Sequence, residues 1–208
     1  DVGPNTGGMG AYSPLPWAPA GLTAEVIEKV LQPTVDEMAK RGTPFSGLLY
    51  AGLALTSRGT RVIEFNARFG DPETQVVLSR LASPLSELLL ASANGTLAEL
   101  PTLEWKPESA VTVVMAAQGY PESPVAGAEI TGLDSVPTGV DVFHAGTRDD
   151  NGTIRVSGGR VLSVTALGKD LHVARENAYA GVAKIRFDGE HHRTDIALKA
   201  ADGEITVP

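Results

Sequence analysis

The sequence predicts an α+β protein in two parts, and three observations carry that prediction. Apolar residues recur at helical spacing early in the chain and are followed by two runs rich in β-formers. A stretch at residues 94–109 carries Gly95, Pro101 and Pro107, and the pattern changes beyond it. From there strands dominate, closing with one amphipathic helix. The expected division is therefore residues 1–100, with helices and an antiparallel sheet, and residues 101–208, a small β-rich domain with a packed helix.

Residues 1–20 are rich in proline and glycine and predict irregular backbone, with residues 3–10 a loop without fixed partners. Thr23 can cap a helix whose stripe is Val26, Ile27, Val30, Leu31 and Val35. Pro33 demands a kink or break within it, because proline lacks the N–H that helix bonding requires, and Gly42 marks its end. The runs SGLLYAGLALT and RVIEFNA, separated by Ser57-Arg58-Gly59-Thr60, predict an antiparallel hairpin. A helix is expected over 73–81. Ser83-Pro84 offers a cap and first-turn proline for another, ending near Ala93.

In the second part, AVTVVMAA, VDVFHAGT, GTIRVSG and GRVLSVTALG are the expected strands. Asp150-Asn151-Gly152 and Ser157-Gly158-Gly159 are the expected hairpin turns. Asp170 caps the final helix, with Val173, Ala174, Ala178, Val182 and Ile185 facing inward.

Composition removes several functional classes. The net charge of −8 argues against a broad nucleic-acid surface, which needs a basic stripe. The absence of cysteine excludes disulfides, thiolate metal sites and a cysteine nucleophile, and is compatible with a cytoplasmic address. No apolar run is long enough to span a membrane.

The residues most suggestive of chemistry lie in Val62-Ile63-Glu64-Phe65-Asn66-Ala67-Arg68. On a strand, Glu64, Asn66 and Arg68 share one face, while Ile63, Phe65 and Ala67 pack on the other. A carboxylate beside an amide oxygen supplies hard ligands suited to Mg²⁺, and an arginine can offset phosphate charge. Spacing alone leaves two readings open, a metal site and a solvated polar strand face. Asp71 can cap the helix opening at Pro72, whose amino-terminal amides can face an anion. In the first loop, Gly7, Gly8 and Gly10 permit close backbone approach, and Asn5 and Thr6 add polar contacts. The same loop also reads as a mobile terminus. His191 and His192, adjacent in sequence, point apart on an extended segment, and His144 reads as a half-buried, hydrogen-bonded strand residue. Trp17 and Trp105 are too isolated for a stacking platform.

The string EFNARFGDPETQ closely resembles the signature of phosphoribosylamine–glycine ligases, members of the ATP-grasp superfamily, and GPNTGGMGAYSP resembles a second hallmark loop of those enzymes. VMAAQGYP, FHAGT and GGRVLSVTALG resemble the family's carboxy-terminal domain, so the likeness covers almost the whole chain. It implies that residues 1–100 are part of an ATP-grasp domain and that ATP, glycine and 5-phosphoribosylamine are the substrates. It also implies Glu64 and Asn66 as ligands of Mg²⁺ or Mn²⁺, Arg68 as the catalytic arginine near the phosphoryl group, and Asn5, Thr6, Gly7, Gly8, Gly10, Asp71 and Pro72 at the substrate or nucleotide side. The family's amino-terminal half is missing from these residues, so the chain is expected to be inactive alone. Two other readings stay open: a different carboxylate–amine ligase of the superfamily, and a folded module without catalysis.

Overall fold

The computed structural model describes residues 3–208. In chain order the elements are β1 (Gly10–Ser13), α1 (Leu22–Val26), a π-helical turn (Ile27–Leu31), α2 (Gln32–Lys40), β2 (Tyr50–Thr56), β3 (Gly59–Asn66), α3 (Glu73–Arg80) and α4 (Leu85–Asn94). They continue with β4 (Ser109–Ala116), β5 (Val140–His144), β6 (Thr147–Asp150), β7 (Thr153–Val156), β8 (Arg160–Gly168), α5 (Leu171–Val182) and α6 (Leu198–Ala201). The α+β expectation holds. Two compact units interleave along the chain: one holds the residues up to Pro14, Asp71–Arg80 and Lys106–Glu204, the other Leu15–Gly70, Leu81–Trp105 and Ile205–Pro208.

The first unit is built on an antiparallel sheet of order β1-β4-β8-β5. Every residue of β4 is buried, and Val161, Leu162, Val164 and Ala166 of β8 are at most 2% exposed. Such central strands must be covered on both faces. Ser163 meets Gln75 of α3, their side chains 3.4 Å apart, whereas a Cβ at Gly181 of α5 would lie 2.9 Å from the next strand residue, Val164. Successive strand residues point to opposite faces, so α3 and α5 cover opposite sides. Thr112 and Thr165 face each other across β4 and β8 with hydroxyls 2.7 Å apart, satisfying two otherwise costly buried polar groups.

α5 matches its expected start, since the Asp170 carboxylate accepts the Val173 N–H at 2.9 Å. Its buried face is Leu171, Ala174, Ala178, Gly181 and Val182, and the small side chains let the helix approach the sheet closely. Val173 itself is only half-buried. A separate hairpin pairs β6 with β7. Its turn has Asn151 at φ 53° and Gly152 at φ 86°, the left-handed pair that Asn-Gly tolerates best.

Several expectations need correction in this unit. Residues 10–13 are not irregular: they add β1 to the sheet edge through register Gly10↔Val113 to Ser13↔Ala110, and Pro14, lacking an N–H, closes it. The predicted strand VDVFHAGT divides into β5 and β6 at Ala145-Gly146. Ser157-Gly158-Gly159 is not a hairpin turn, because β7 pairs with β6 while β8 pairs with β4 and β5.

In the second unit, β2 and β3 form the predicted hairpin, closing through Thr56↔Gly59 with Gly59 at φ 89°. The helix meets Pro33 by widening rather than breaking: a π turn precedes α2, and the Thr34 hydroxyl donates to the Val30 carbonyl at 2.6 Å. A proline removes one ladder donor and crowds the carbonyl behind it, which a wide turn relieves. Thr23 does not cap this helix; Gly21 occupies the cap with φ 83°. Ser83 does not cap α4 either, because its hydroxyl accepts the Glu104 N–H at 2.8 Å and Pro84 takes the cap position. α4 ends at Gly95, φ 73°, the usual glycine stop.

Candidate ligand and metal residues

In the second unit, β3 carries Glu64 and Asn66 toward its end. The expected shared face is present: Asn66 Nδ2 donates to Glu64 Oε1 at 3.0 Å. Gly52 lies opposite Glu64 in the hairpin, and a Cβ there would sit 3.3 Å from Glu64 Cγ, so the glycine leaves room for the carboxylate. Arg68 follows the strand, exposed, with Nη1 donating to the Phe69 carbonyl at 2.9 Å.

The other face of β3 departs from expectation. Ile63 is 69% and Phe65 43% exposed, and Ala67 is exposed as well, so these residues are not packed. The register shifts between Gly52 and Leu53, whose partners are Glu64 and Val62, leaving Ile63 as an extra residue. Such a bulge breaks strict alternation. It lets Val62 and Phe65 line one shallow cavity with Val30, Pro33 and Met38 of the helical segment.

The donor set fits a hard divalent cation only in part. Glu64 gives carboxylate oxygens, and the Asn66 carboxamide would present Oδ1 after rotation of its amide. Among the described residues no group of three or more His, Asp or Glu side chains could hold a metal ion. Two protein oxygens suit an ion whose remaining ligands are phosphate and water, the habit of Mg²⁺.

The first unit holds the remaining predicted residues and brings most of them together. Asn5 and Thr6 line an open concavity of about 840 Å³ with Met9, Tyr120, His191 and Arg193. Gly7 donates its N–H to Tyr120 Oη at 3.0 Å. A Cβ on Gly8 would lie 2.5 Å from Pro72 Cδ, and one on Gly10 2.7 Å from both Ile196 and the Thr112 carbonyl. These glycines are therefore required by packing within the unit. Residues 7–10 do have fixed partners, contrary to expectation. Asp71, at the turn before α3, accepts from Gln75 at 3.1 Å through Oδ1 and pairs with Arg160 at 2.8 Å through Oδ2.

Tyr120, Arg160 and the segment around Arg193 were not legible as site residues, because only folding sets them beside the loop. The backbone of His191 pairs with Ala116, and His192 Nδ1 lies 3.3 Å from Glu190. His144 is exposed rather than half-buried, with Nδ1 3.0 Å from the Thr147 hydroxyl. Arg193 grips Asp195 through two bonds of 2.8 and 2.6 Å, which hold the Asp195 carboxyl down at about 2. Tyr179 of α5 anchors this segment, donating to the Arg193 carbonyl at 2.6 Å and accepting the Ile196 N–H at 3.2 Å. Burial raises its phenol pKa.

Comparison with known proteins identifies the family. Residues 1–74 match the phosphoribosylglycinamide synthetase ATP-grasp (A) domain, and residues 110–199 match the C domain of the same family. The chain belongs to the phosphoribosylglycinamide synthetase family. A phosphoribosylamine–glycine ligase of Streptomyces coelicolor is 64% identical over 205 residues, covering 97% of this chain and 49% of the relative. One of Mycobacterium tuberculosis is 52% identical over 208 residues, covering 100% and 48%. The chain thus spans about half the length of the curated relatives it matches. The crystal structure of a phosphoribosylamine–glycine ligase from Thermotoga maritima superposes with TM-score 0.83 at 35% identity, covering 94% of this chain and 48% of that one. The biotin carboxylase domain of a thermophilic 2-oxoglutarate carboxylase, at TM-score 0.63 and 14% identity, shares the fold alone.

Proposed function

We propose that this chain supplies the metal-binding strand and carboxy-terminal domain of a phosphoribosylamine–glycine ligase acting in purine biosynthesis in the cytoplasm. A glycine carboxylate oxygen attacks the γ-phosphorus of ATP, the bond to the ADP oxygen breaks, and glycyl phosphate forms. The amine nitrogen of 5-phosphoribosylamine then attacks the acyl carbon. The carbon–oxygen bond to phosphate breaks and the nitrogen loses a proton, giving glycinamide ribonucleotide, ADP and phosphate.

The observation that carries this reading is the Glu64–Asn66 pair, 3.0 Å apart on one strand within the segment matched by the ATP-grasp domain model. In the proposal these residues hold Mg²⁺ or Mn²⁺ against the nucleotide phosphates. An ion held there would supply positive charge to offset that of the phosphates. Arg68 adds positive charge where negative charge develops on transfer. Asn5 and Thr6 offer polar contacts to substrate, while Gly7, Gly8, Gly10, Asp71 and Pro72 shape that side. Residues 1–100 are assigned to the ATP-grasp portion and 101–208 to the carboxy-terminal domain. The partner required for turnover is the portion corresponding to the relatives' amino-terminal half.

A chimera tests this reading, with this chain replacing the matching half of the Streptomyces coelicolor relative. We expect ADP release that requires both glycine and phosphoribosylamine, and none from the 208-residue chain alone. A folded chimera that releases ADP with another carboxylate but not with glycine would overturn the assignment.

A further inference from the structure

We propose that Arg160 is a positioning residue that locks the amino-terminal glycine loop to the turn at Asp71-Pro72. The proposal rests on the ligase reading for its catalytic consequence. Its structural basis lies wholly within the first unit.

One guanidinium reaches three acceptors in two motif segments. Nη1 donates to the Gly8 carbonyl at 3.1 Å and to the Asp71 carbonyl at 2.7 Å, and Nη2 donates to Asp71 Oδ2 at 2.8 Å. The planar fork of arginine suits this, since donors leave it in several fixed directions where a lysine offers one compact charge. Arg160 opens β8, and its next residues, Val161 and Leu162, are fully buried, so the side chain springs from a rigid strand. Its own side chain is 24% exposed and that of Asp71 45%, so the joint lies at the surface of the unit and is held by its number of bonds.

Two further features serve the same joint. Tyr120 Oη accepts the Gly7 N–H at 3.0 Å, fixing the loop one residue before Gly8. A Cβ at Gly7 would fall 3.1 Å from that oxygen and 3.2 Å from Arg160 Cζ, so any larger residue would push these two side-chain ends aside by a few tenths of an ångström. Both Asp71 carboxylate oxygens are engaged inside the unit, Oδ1 by Gln75 and Oδ2 by Arg160. Asp71 therefore works inward, as the anchor of the joint. Asn5 and Thr6 face the concavity together with Gly3, Pro4 and Met9, and their positions depend on where Gly7 and Gly8 are held.

Amide hydrogen exchange on the 208-residue chain tests the joint directly. In Arg160→Ala we expect exchange at residues 5–9 to rise about tenfold or more, with β4 and β8 amides unchanged as internal control. Arg160→Lys, which keeps charge but loses the fork, should show most of that rise, and Tyr120→Phe should release Gly7 chiefly. Unchanged exchange at residues 5–9 in Arg160→Lys and Tyr120→Phe would overturn the proposal, even if Arg160→Ala failed to fold. In the chimera, Arg160→Ala should lower kcat/KM about 100-fold, the scale expected for an ångström-sized misplacement. Added guanidinium ion should restore part of it, a rescue that a general folding defect would not show. Loss of activity with no rescue would overturn the positioning role. A chimera inactive with Arg160 intact would instead fault the ligase reading, and the exchange experiment would still decide the joint.

Discussion

Arg193 and Asp195 meet through two nearly parallel hydrogen bonds, and the consequence is a carboxyl held down at about 2 from its ordinary 3.8. A depressed folded-state value means that the pair's stabilisation is complete above the unfolded value and is lost as pH falls through the folded one. Both side chains are well exposed, so solvent screening keeps the contribution small. In Arg193→Gln the Asp195 carboxyl should titrate near 3.8, read by NMR of the side-chain carbon; an unchanged titration would mean that another group depresses it. Glu64 is exposed, so Glu64→Ala should leave thermal stability within roughly 0.5 kcal/mol while abolishing ADP release by the chimera. A large fall in melting temperature would show instead that Glu64 holds the hairpin together. At this scale the Glu64–Asn66 pair was legible, because two residues on one strand face need only the pleat to meet. Arg160 and Tyr120 were not, since they lie far along the chain from the loop they contact.

At the scale of elements, close approach of α5 to the sheet depends on Gly168. A Cβ there would lie 2.2 Å from the Ala174 nitrogen, and backbone cannot swing aside. Gly168→Ala should destabilise the chain by about 1–3 kcal/mol in urea unfolding. The β4–β8 pairing contains the buried Thr112–Thr165 contact, and removing one hydroxyl strands the other. Thr112→Val should therefore cost about 1–3 kcal/mol, with the double Thr112→Val/Thr165→Val variant recovering much of the loss. Additive losses would show that the hydroxyls find other partners. Elements with strong local patterns were readable: the β2–β3 hairpin, the Asn151-Gly152 turn and the Asp170 cap. Elements that depend on a remote partner were not. Residues 10–13 have no strand-like pattern and become β1 only because β4 offers an edge. Ser83 becomes a loop anchor only because the Glu104 N–H reaches it.

Across the whole molecule, the core is unevenly shared. Among the described residues, Val26 and Ala91 are the buried hydrophobic side chains of the second unit, and the others belong to the first. Both tryptophans, Trp17 and Trp105, lie in the second unit. Their fluorescence should therefore change at a lower urea concentration than the main far-ultraviolet dichroism transition. Coincident transitions would show that the two units unfold as one. The sequence by itself determined the α+β class, the local elements and the chemical character of the β3 motif. Hydrophobic period, turn residues and caps act over a few neighbours and can be read without the fold. Tertiary structure decided the interleaving of the two units, the pairing of β8 with β4 and β5 rather than with β7, and the capture of the glycine loop by Arg160. Each of these depends on which distant backbone edges and side chains meet, and no local pattern in the chain encodes that meeting.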